Sequence, residues 1–395
     1  MEVLFISYKY PPSIGGMQMQ SYHLITGYNS IDTSHSIIYD QKGSLLFFFL
    51  SLFWKLPTLL YKNPNIQLIH LNDGVCGLCC IWLKLFTNRK VVVTYHGLDL
   101  VFPNFIYQKI LLPLVRHADA VIAVSTYTAE QCVARRFSKG KIYVVKNGVD
   151  HIVNQQDIES VSNHIIAQAA IAKTKAKKQI VAIGRPVRRK GFVWFVKNVL
   201  PQLPDDIQFT LIGPYPDYNK VISAFLKRIP QSWQKQIELL LGLSTEHTEL
   251  MQLLESDISK EKFVWHRNLN HTDKNYLLSQ ADLFVMPNVS VAGDMEGFGL
   301  VALEANMYDV PVLASGIEGI TSAVVEGKNG WLMQSEDANG WIEAISHYLS
   351  EKPLIKCKEF ATQNYSWDRM VSDYADVFSA IGVVDQDRKV VQAMS

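Results

Sequence analysis

The sequence predicts an α/β fold built from two doubly wound domains. Three observations lead there. Short apolar runs alternate with helix-length periodic segments in both halves of the chain, the pattern of βαβ units around parallel sheets. A polar interval without a strand-like run, from Asp150 to Lys178 and ending in "AKTKAKK", separates the halves. The chain has 395 residues, 48% of them hydrophobic, which supplies material for two cores of ordinary size.

Taken in order, the first half offers "EVLFIS", "HSIIYD", "IQLIHL", "KVVVTY", "AVIAVS" and "KIYVVKN" as strands. Each is a short apolar run of the kind that parallel strands covered on both faces require. After the lysine-rich boundary the alternation restarts with "QIVAIG", "IQFTLIG", "KFVWHRN", "ADLFVMPN" and "PVLAS". The domain limits expected from this pattern are 1–165 and 178–365. In such sheets ligands collect at the carboxyl ends of the strands, where loops and helix N-termini converge.

Charge narrows the function classes. A formal net charge of +1 argues against wholesale nucleic-acid binding. The first half is nevertheless the basic one, and residues 84–146 carry ten Lys/Arg against three Asp/Glu. That excess suits an anionic surface or an anionic acceptor, and it equally suits a solvated face. The five cysteines, Cys76, Cys79, Cys80, Cys132 and Cys357, form an odd set without framework spacing, which predicts reduced thiols and a cytoplasmic setting. Cys76 and Cys79 lack a second pair or a histidine cluster to complete a zinc site, so no metal is expected, and "VCGLCCIWLKLF" is read as a buried helix. "MEVLFISYKYPP" becomes strand-like at once and has no signal-peptide layout, which agrees with a protein that stays inside the cell.

Three glycine-bearing turns follow strand candidates, and each would turn backbone N–H groups toward an anion at a helix start. "PPSIGGMQMQSYHLI" contributes Gly15 and Gly16. "AIGRPVRRKGFVWFV" adds the cationic donors Arg185 and Lys190. "MEGFGLVALEA" sets Glu296 and Glu304 eight positions apart around a Gly-Phe-Gly turn. With a helix beginning near Gly299, Glu296 lies on the preceding loop and Glu304 just over a turn inside. Phe298, Gly299 and Leu300 are then placed to offer N–H groups to a diphosphate, and Glu304 to accept the hydroxyls of a ribose. The alternative is structural: Glu304 in an internal salt bridge, Glu296 a solvated loop acid.

In order along the chain, "PPSIGG", "TYHGLD", "NGVD", "GRPVRRKG", "ADLFVMPN", "EGFGLVALEA", "PVLAS" and "GKNGWL" resemble the retaining nucleotide-sugar glycosyltransferases of the GT-B fold, family 4. The resemblance covers nearly the whole chain and extends to the closing "YSWDRMVSDYADVF", similar to that family's terminal helix. It implies two Rossmann-like domains facing across a cleft: an acceptor-binding domain over 1–165, a donor-binding domain over 178–365, and a terminal helix, 366–382, packing back on the first. It further implies that Glu304 holds the nucleotide ribose, that Glu296 lies near the hydroxyls of the transferred sugar, and that Arg185 and Lys190 meet the diphosphate. Gly15 and Gly16 are implied to close from the other domain, and His96 to line the sugar site. The implied substrate is a UDP- or GDP-sugar, used without a cofactor or a metal, with retention of anomeric configuration and with a sugar or lipid-linked acceptor. Enzymes of bacterial surface polysaccharide or lipopolysaccharide synthesis fit that description. A nucleotide-sugar epimerase of the same fold and a non-catalytic nucleotide-sugar-binding protein are the alternatives. Paired acids also serve glycosidases, but a neighbouring basic pair suits a phosphate leaving group. Asp309 stands where the family usually has glycine, "GIEGITSAV" lacks the family's usual acid, and "VSVAGDMEGFG" carries extra residues ahead of Glu296.

The most apolar stretch is "GSLLFFFLSLFWKLPTLLYKN", in which Ser51, Lys55, Thr58 and Lys62 recur at helical spacing along one narrow stripe. At roughly 17 residues and carrying Lys55 and Pro57, it is short for a membrane span. Residues 44–62 are read either as a helix buried in the first domain or as an interfacial helix resting on lipid at the inner face of a membrane. Smaller signals are read as local: Asn147-Gly148 as a turn closing a strand, Asp205-Asp206 as a loop acid pair, and Trp367 as an anchor for the terminal helix.

Overall fold

The computed structural model describes residues 1–13, 15–150, 178–214, 230, 236–239, 246–256 and 262–393, with side chains described through residue 382. Most of the expected boundary region, 151–177, lies outside the described residues. The chain divides into two compact units, Met1–Gly148 together with Tyr365–Ser395, and Val149–Asn364.

The first unit is built on six parallel strands: β1 (Val3–Ser7), β2 (Ser34–Ile38), β3 (Leu68–Leu71), β4 (Lys90–Tyr95), β5 (Ala120–Ala123) and β6 (Ile142–Val144). They are ordered β2-β1-β3-β4-β5-β6. β1, β3 and β5 are buried at every position, which is why their sequences are unbroken apolar runs rather than alternating ones. Leu4, Ile6, Ile69 and Val93 point to one side and pack with Phe48, Leu52 and Leu56 of the helix Leu45–Lys62 and with Cys76 and Cys80 of the helix Gly74–Cys80. Phe5 and His70 alternate with them and point to the other side, where they meet Tyr28, Tyr374 and Phe378 edge-on or tilted at 5.4–6.2 Å between centroids.

Tyr374 and Phe378 belong to the helix Trp367–Ala393, so the chain's last helix covers the sheet that its first residues begin. A buried polar chain runs through this contact. Gln20 Nε2 donates to Tyr374 Oη at 3.0 Å, Asn72 Nδ2 donates to Gln20 Oε1 at 2.9 Å, and Thr94 Oγ1 lies 3.1 Å from Tyr374 Oη and 2.9 Å from His70 Nε2. Trp367 anchors the start of the helix by stacking on His23, with ring centroids 4.5 Å apart.

The helix Leu45–Lys62 corrects one detail of the sequence reading. Ser51 is buried, with its hydroxyl donating to Phe48 O at 2.7 Å, whereas Lys55, Thr58 and Lys62 are exposed, so the four do not form one surface stripe. The inward residues Phe48, Leu52, Leu56 and Leu60 are spaced by four, and that spacing turns the contact line about 40° per step around a helix of 3.6 residues per turn. The line therefore takes in Ser51 early and has rotated away from Lys55 and Thr58 later.

The second unit carries β7 (Lys178–Ile183), β8 (Ile207–Gly213), β9 (Phe263–Arg267), β10 (Leu283–Met286), β11 (Val312–Ser315) and β12 (Gly330–Met333), all parallel. β12 falls in "GKNGWL", which the periodicity did not mark as a strand. The order is β12-β11-β10-β7-β8-β9, so the chain builds outward from β7 and then returns to add β10 on its other flank. One face is packed by Phe195, Phe209, Trp265 and Trp341, the other by Phe284, Met286, Ala302, Ala305 and Ile320. Asp309 adopts φ 61, the left-handed conformation that favours glycine, and its carboxylate accepts from the Lys358 N–H at 3.1 Å. The departure from glycine thus sits on the backbone geometry glycine would have served.

Candidate functional site

The reversal of strand order places the carboxyl ends of β7 and β10 side by side, and the loops that leave them converge. The loop after β7 runs from Gly184 through Arg185 to the tight turn Arg188–Lys190. Gly191 closes that turn at φ +66, and a Cβ there would lie 1.8 Å from the Pro287 carbonyl oxygen. Only glycine lets this loop lie against the one after β10, and the Val289 N–H fixes the approach by donating to Arg189 O at 3.0 Å.

That apposition carries the charges inward. Lys190 Nζ is 2.7 Å from Glu296 Oε2, and Arg189 reaches the same oxygen at 3.6 Å and Asp294 Oδ2 at 3.6 Å. Asn288 Nδ2 donates to Glu296 at 3.4 Å. Burial would raise the Glu296 carboxyl, but the Lys190 and Arg189 charges outweigh it and hold the group at about 2, so it is ionised. Burial lowers both Lys190 and Arg185, and Arg189 adds to the lowering, while Glu296 opposes it in each case. Arg185 therefore stands within the field of the same cluster.

The backbone at Glu296 is clamped as well. Its N–H donates to Glu318 Oε2 at 2.6 Å, and the Gly319 N–H donates to the Glu296 carbonyl at 3.0 Å. Burial first, and then the Glu296 and Asp294 charges, push the Glu318 carboxyl up to about 7. "GIEGITSAV", which lacks the expected acid, thus places another carboxylate on the Glu296 peptide.

Past Phe298 the chain enters the helix Leu300–Asn306 with Gly299 as its N-cap at φ +97. Helix geometry leaves the first-turn amides without intrahelical acceptors. Glu304 lies inside this helix, with Oε2 2.7 Å from Lys274 Nζ. The structural alternative for Glu304 is therefore realised as an ion pair, and Glu296 is a partly buried, triply contacted carboxylate rather than a freely solvated one. Among the described residues, Asn288 Oδ1 and Ser315 Oγ, at the ends of β10 and β11, are buried without a hydrogen-bond partner.

Gly15, Gly16 and His96 belong to the first unit. Gly15 is the N-cap of the helix Gly16–Tyr28, which follows β1. His96 follows β4, with Nε2 2.8 Å from the Asn72 carbonyl oxygen. A carbonyl can only accept, so Nε2 carries a proton. Burial lowers the His96 pKa, against the pull of Asp99. Asp99 holds the turn by accepting from the His96, Gly97 and Gly74 amides at 2.8–3.0 Å.

In the second unit the structure brings together Arg185, Lys190 and Glu296, with the Phe298–Leu300 turn and Glu304 following directly. The sequence reading missed Arg189, Asn288, Asp294, Glu318 and Lys274. Arg189 and Asp294 lay beside chosen residues in "RRKG" and "GDMEG", and the latter accounts for part of the extra segment. Lys274 and Glu318 reach the site only through strand order, which no local signal encodes. Among the described residues no group of three or more His, Cys, Asp and Glu has metal-binding geometry.

Comparisons with known proteins bear on the family and the fold. The profile for Glycosyl transferases group 1 matches residues 163–367, and that for Glycosyltransferase Family 4 matches residues 9–152. The chain is 25% identical over 333 residues to a Klebsiella pneumoniae protein described as an uncharacterized 41.2 kDa protein in a cps region, covering 81% of this chain and 80% of that one. It is 27% identical over 342 residues to the D-inositol 3-phosphate glycosyltransferase of Corynebacterium urealyticum, covering 82% and 73%. Anabaena Alr3699/HepE in complex with UDP-glucose superposes with a TM-score of 0.70 at 16% identity, covering 96% of this chain and 100% of that one. The lipopolysaccharide outer core galactosyltransferase WaaB superposes with a TM-score of 0.67 at 14% identity, covering 96% and 99%.

The two parallel six-stranded sheets, the helices on them and the cation–carboxylate cluster at a strand-order reversal define an α/β protein of the GT-B fold. The chain belongs to the group 1 glycosyl transferases, within glycosyltransferase family 4.

Proposed function

We propose that the protein is a retaining hexosyltransferase that moves a sugar from a UDP- or GDP-sugar to a sugar or lipid-linked acceptor during bacterial surface polysaccharide or lipopolysaccharide synthesis, in the cytoplasm at the inner face of the membrane. The observation that carries this reading is the cluster of Arg185, Arg189 and Lys190 around the ionised Glu296 at the β7–β10 reversal. Family membership supports transfer chemistry. The Klebsiella relative named for a cps region supports the polysaccharide setting, and the Anabaena complex with UDP-glucose supports the donor class.

On this reading the bond from the anomeric carbon to the diphosphate oxygen breaks as the acceptor oxygen bonds to that carbon on the same face. The acceptor proton passes to the departing diphosphate. The charge that develops there is met by Arg185 and Lys190 and by the amides of Phe298, Gly299 and Leu300, so no metal is required. Lys190 has three donors and Glu296 engages one of them. Glu296 accepts from hydroxyls of the transferred sugar, and Glu304, backed by Lys274, accepts from the ribose. Gly15 and Gly16 take the donor-phosphate role and His96 the sugar-binding role that the resemblance assigns.

The test begins by ranking UDP-, GDP- and ADP-sugars by thermal shift, because a bound ligand raises the melting point in step with its affinity. The preferred donor is then assayed for free nucleoside diphosphate with and without acceptor sugars and glycolipids. Release only with acceptor is expected. Sugar conversion without acceptor would identify an epimerase, and binding with neither reaction a non-catalytic binder. Lys190→Ala is expected to lower turnover about 100-fold or more, and Glu304→Ala to shrink the thermal shift. Near-wild-type transfer by both variants would refute these roles.

A further inference from the structure

The helix Leu45–Lys62 has two apolar faces, and only one is used by the core. Its outer face exposes Phe47 at 62%, Phe53 at 58% and Trp54 at 51%. These are not isolated side chains. Phe53 stacks on Trp82 with centroids 5.3 Å apart, and Trp82 meets Phe86 at 6.0 Å, so the face runs on into the short helix Ile81–Leu85. There Leu85 is 82% and Phe86 78% exposed. Leu83 of that short helix shares one core with Phe48 and Leu52, which places both segments in a single layer over the sheet. Leu112 and Val115 join the same core, and the chain leading to them exposes Phe105 and Ile110. Contiguous exposed aromatic surface of this kind marks an interaction site.

Charge selects the occupant. Between Gln41 and Ala118 the only acids are Asp73 and Asp99. Asp73 is buried as the cap of the helix Gly74–Cys80, and Asp99 is turned onto three backbone amides. The same stretch contains eight Lys/Arg, of which Lys84 and Lys90 face Asp119 while Lys42, Lys55, Lys62 and Lys109 are exposed. A second copy of this chain placed on the face would set cations against cations. A sheet of anionic headgroups over hydrocarbon would match both the lysines and the rings between them.

We infer that this face is a docking surface for an anionic phospholipid bilayer, with Phe47, Phe53, Trp54, Leu85 and Phe86 in the headgroup–acyl boundary and the lysines among the headgroups. By length and composition alone the 18-residue helix could cross a bilayer. Spanning would, however, strip Phe48, Leu52 and Leu56 from the core, so the helix lies along the bilayer surface. The inference deepens the membrane placement of the proposed function by naming the surface that carries it, and its failure is distinguishable from failure of the transfer reading, because binding is measured with neither donor nor acceptor.

The experiment is co-sedimentation of the whole protein with phosphatidylglycerol–phosphatidylethanolamine vesicles and with phosphatidylcholine vesicles, at low and high salt. Binding to the anionic vesicles that weakens with salt is expected. The double variant Phe53→Ser, Trp54→Ser should lose roughly tenfold or more in partitioning, and Lys55→Glu, Lys62→Glu roughly fivefold per lysine on anionic vesicles alone. Wild-type melting curves for both variants show that they are folded. Should the Phe53/Trp54 variant melt early, the lysine pair and the wild-type salt dependence decide. Failure to bind anionic vesicles at low salt overturns the inference. So does equal binding to both lipid types, or a dimer that the apolar variant abolishes in a protein that ignores vesicles.

Discussion

Glu296 and Glu318 meet at one peptide group, yet their surroundings drive them to opposite protonation. Two cations hold Glu296 at about 2, whereas burial beside Glu296 and Asp294 lifts Glu318 to about 7. An unfolded glutamate titrates near about 4.3. The stability from Glu296 is therefore present above that value and lost as the pH falls toward about 2. The contribution from Glu318 has the opposite sign: it is full below about 4.3 and is lost as the pH rises through about 7. Calorimetry of Glu318→Gln is expected to show a melting point that declines less between about pH 5 and pH 8 than the wild type does. An unchanged slope would mean that Glu318 ionises like an exposed acid. None of this was legible locally, because a carboxylate acquires its pKa from neighbours that the chain reaches only after folding.

At the scale of elements, the strands were legible because parallel strands covered on both faces leave unbroken apolar runs, as Leu4–Ile6 and Leu283–Met286 do. β12 was not, since an edge strand that begins with glycine and is only partly buried leaves a weaker trace. Ser51 was misplaced because a helix crossing a twisted sheet rotates its buried side along its length. Site residues were legible where glycine marked the turn, at Gly184–Gly191 and Gly297–Gly299, and silent where a partner came from another element, as Lys274 of the helix His271–Ser279 and Glu318 of the loop after β11 do. Gly191 carries the firmest expectation. Gly191→Ala combines left-handed backbone with a collision on Pro287 O, and should destabilise the second unit by about 3 kcal/mol or more. Gly327→Ala, at the same φ of +66 with nothing near the added carbon, should cost only about 1 kcal/mol. Equal melting points for the two variants would remove the close loop approach as the reason for glycine.

The molecule as a whole closes its first unit with its last helix. Tyr374 and Phe378 are fully buried against Phe5 and His70, and Gln20 and Thr94 bond to the Tyr374 hydroxyl. Ending the chain at Asn364 would remove Tyr374 and Phe378, uncover Phe5 and His70, and take from the buried Gln20 and Thr94 their hydroxyl partner. The truncated protein is expected to lose the cooperative melting of the first unit while keeping that of the second, and two intact transitions would show the helix to be dispensable. This arrangement also sets a timetable during synthesis. After Gly148 is added to the growing chain, the 216 residues of Val149–Asn364 must still be translated before the covering helix exists, roughly 10 to 40 s at ordinary elongation rates. For that interval the patch around Phe5 and His70 that Tyr374 and Phe378 later cover is bare, and it is there that a chaperone would act.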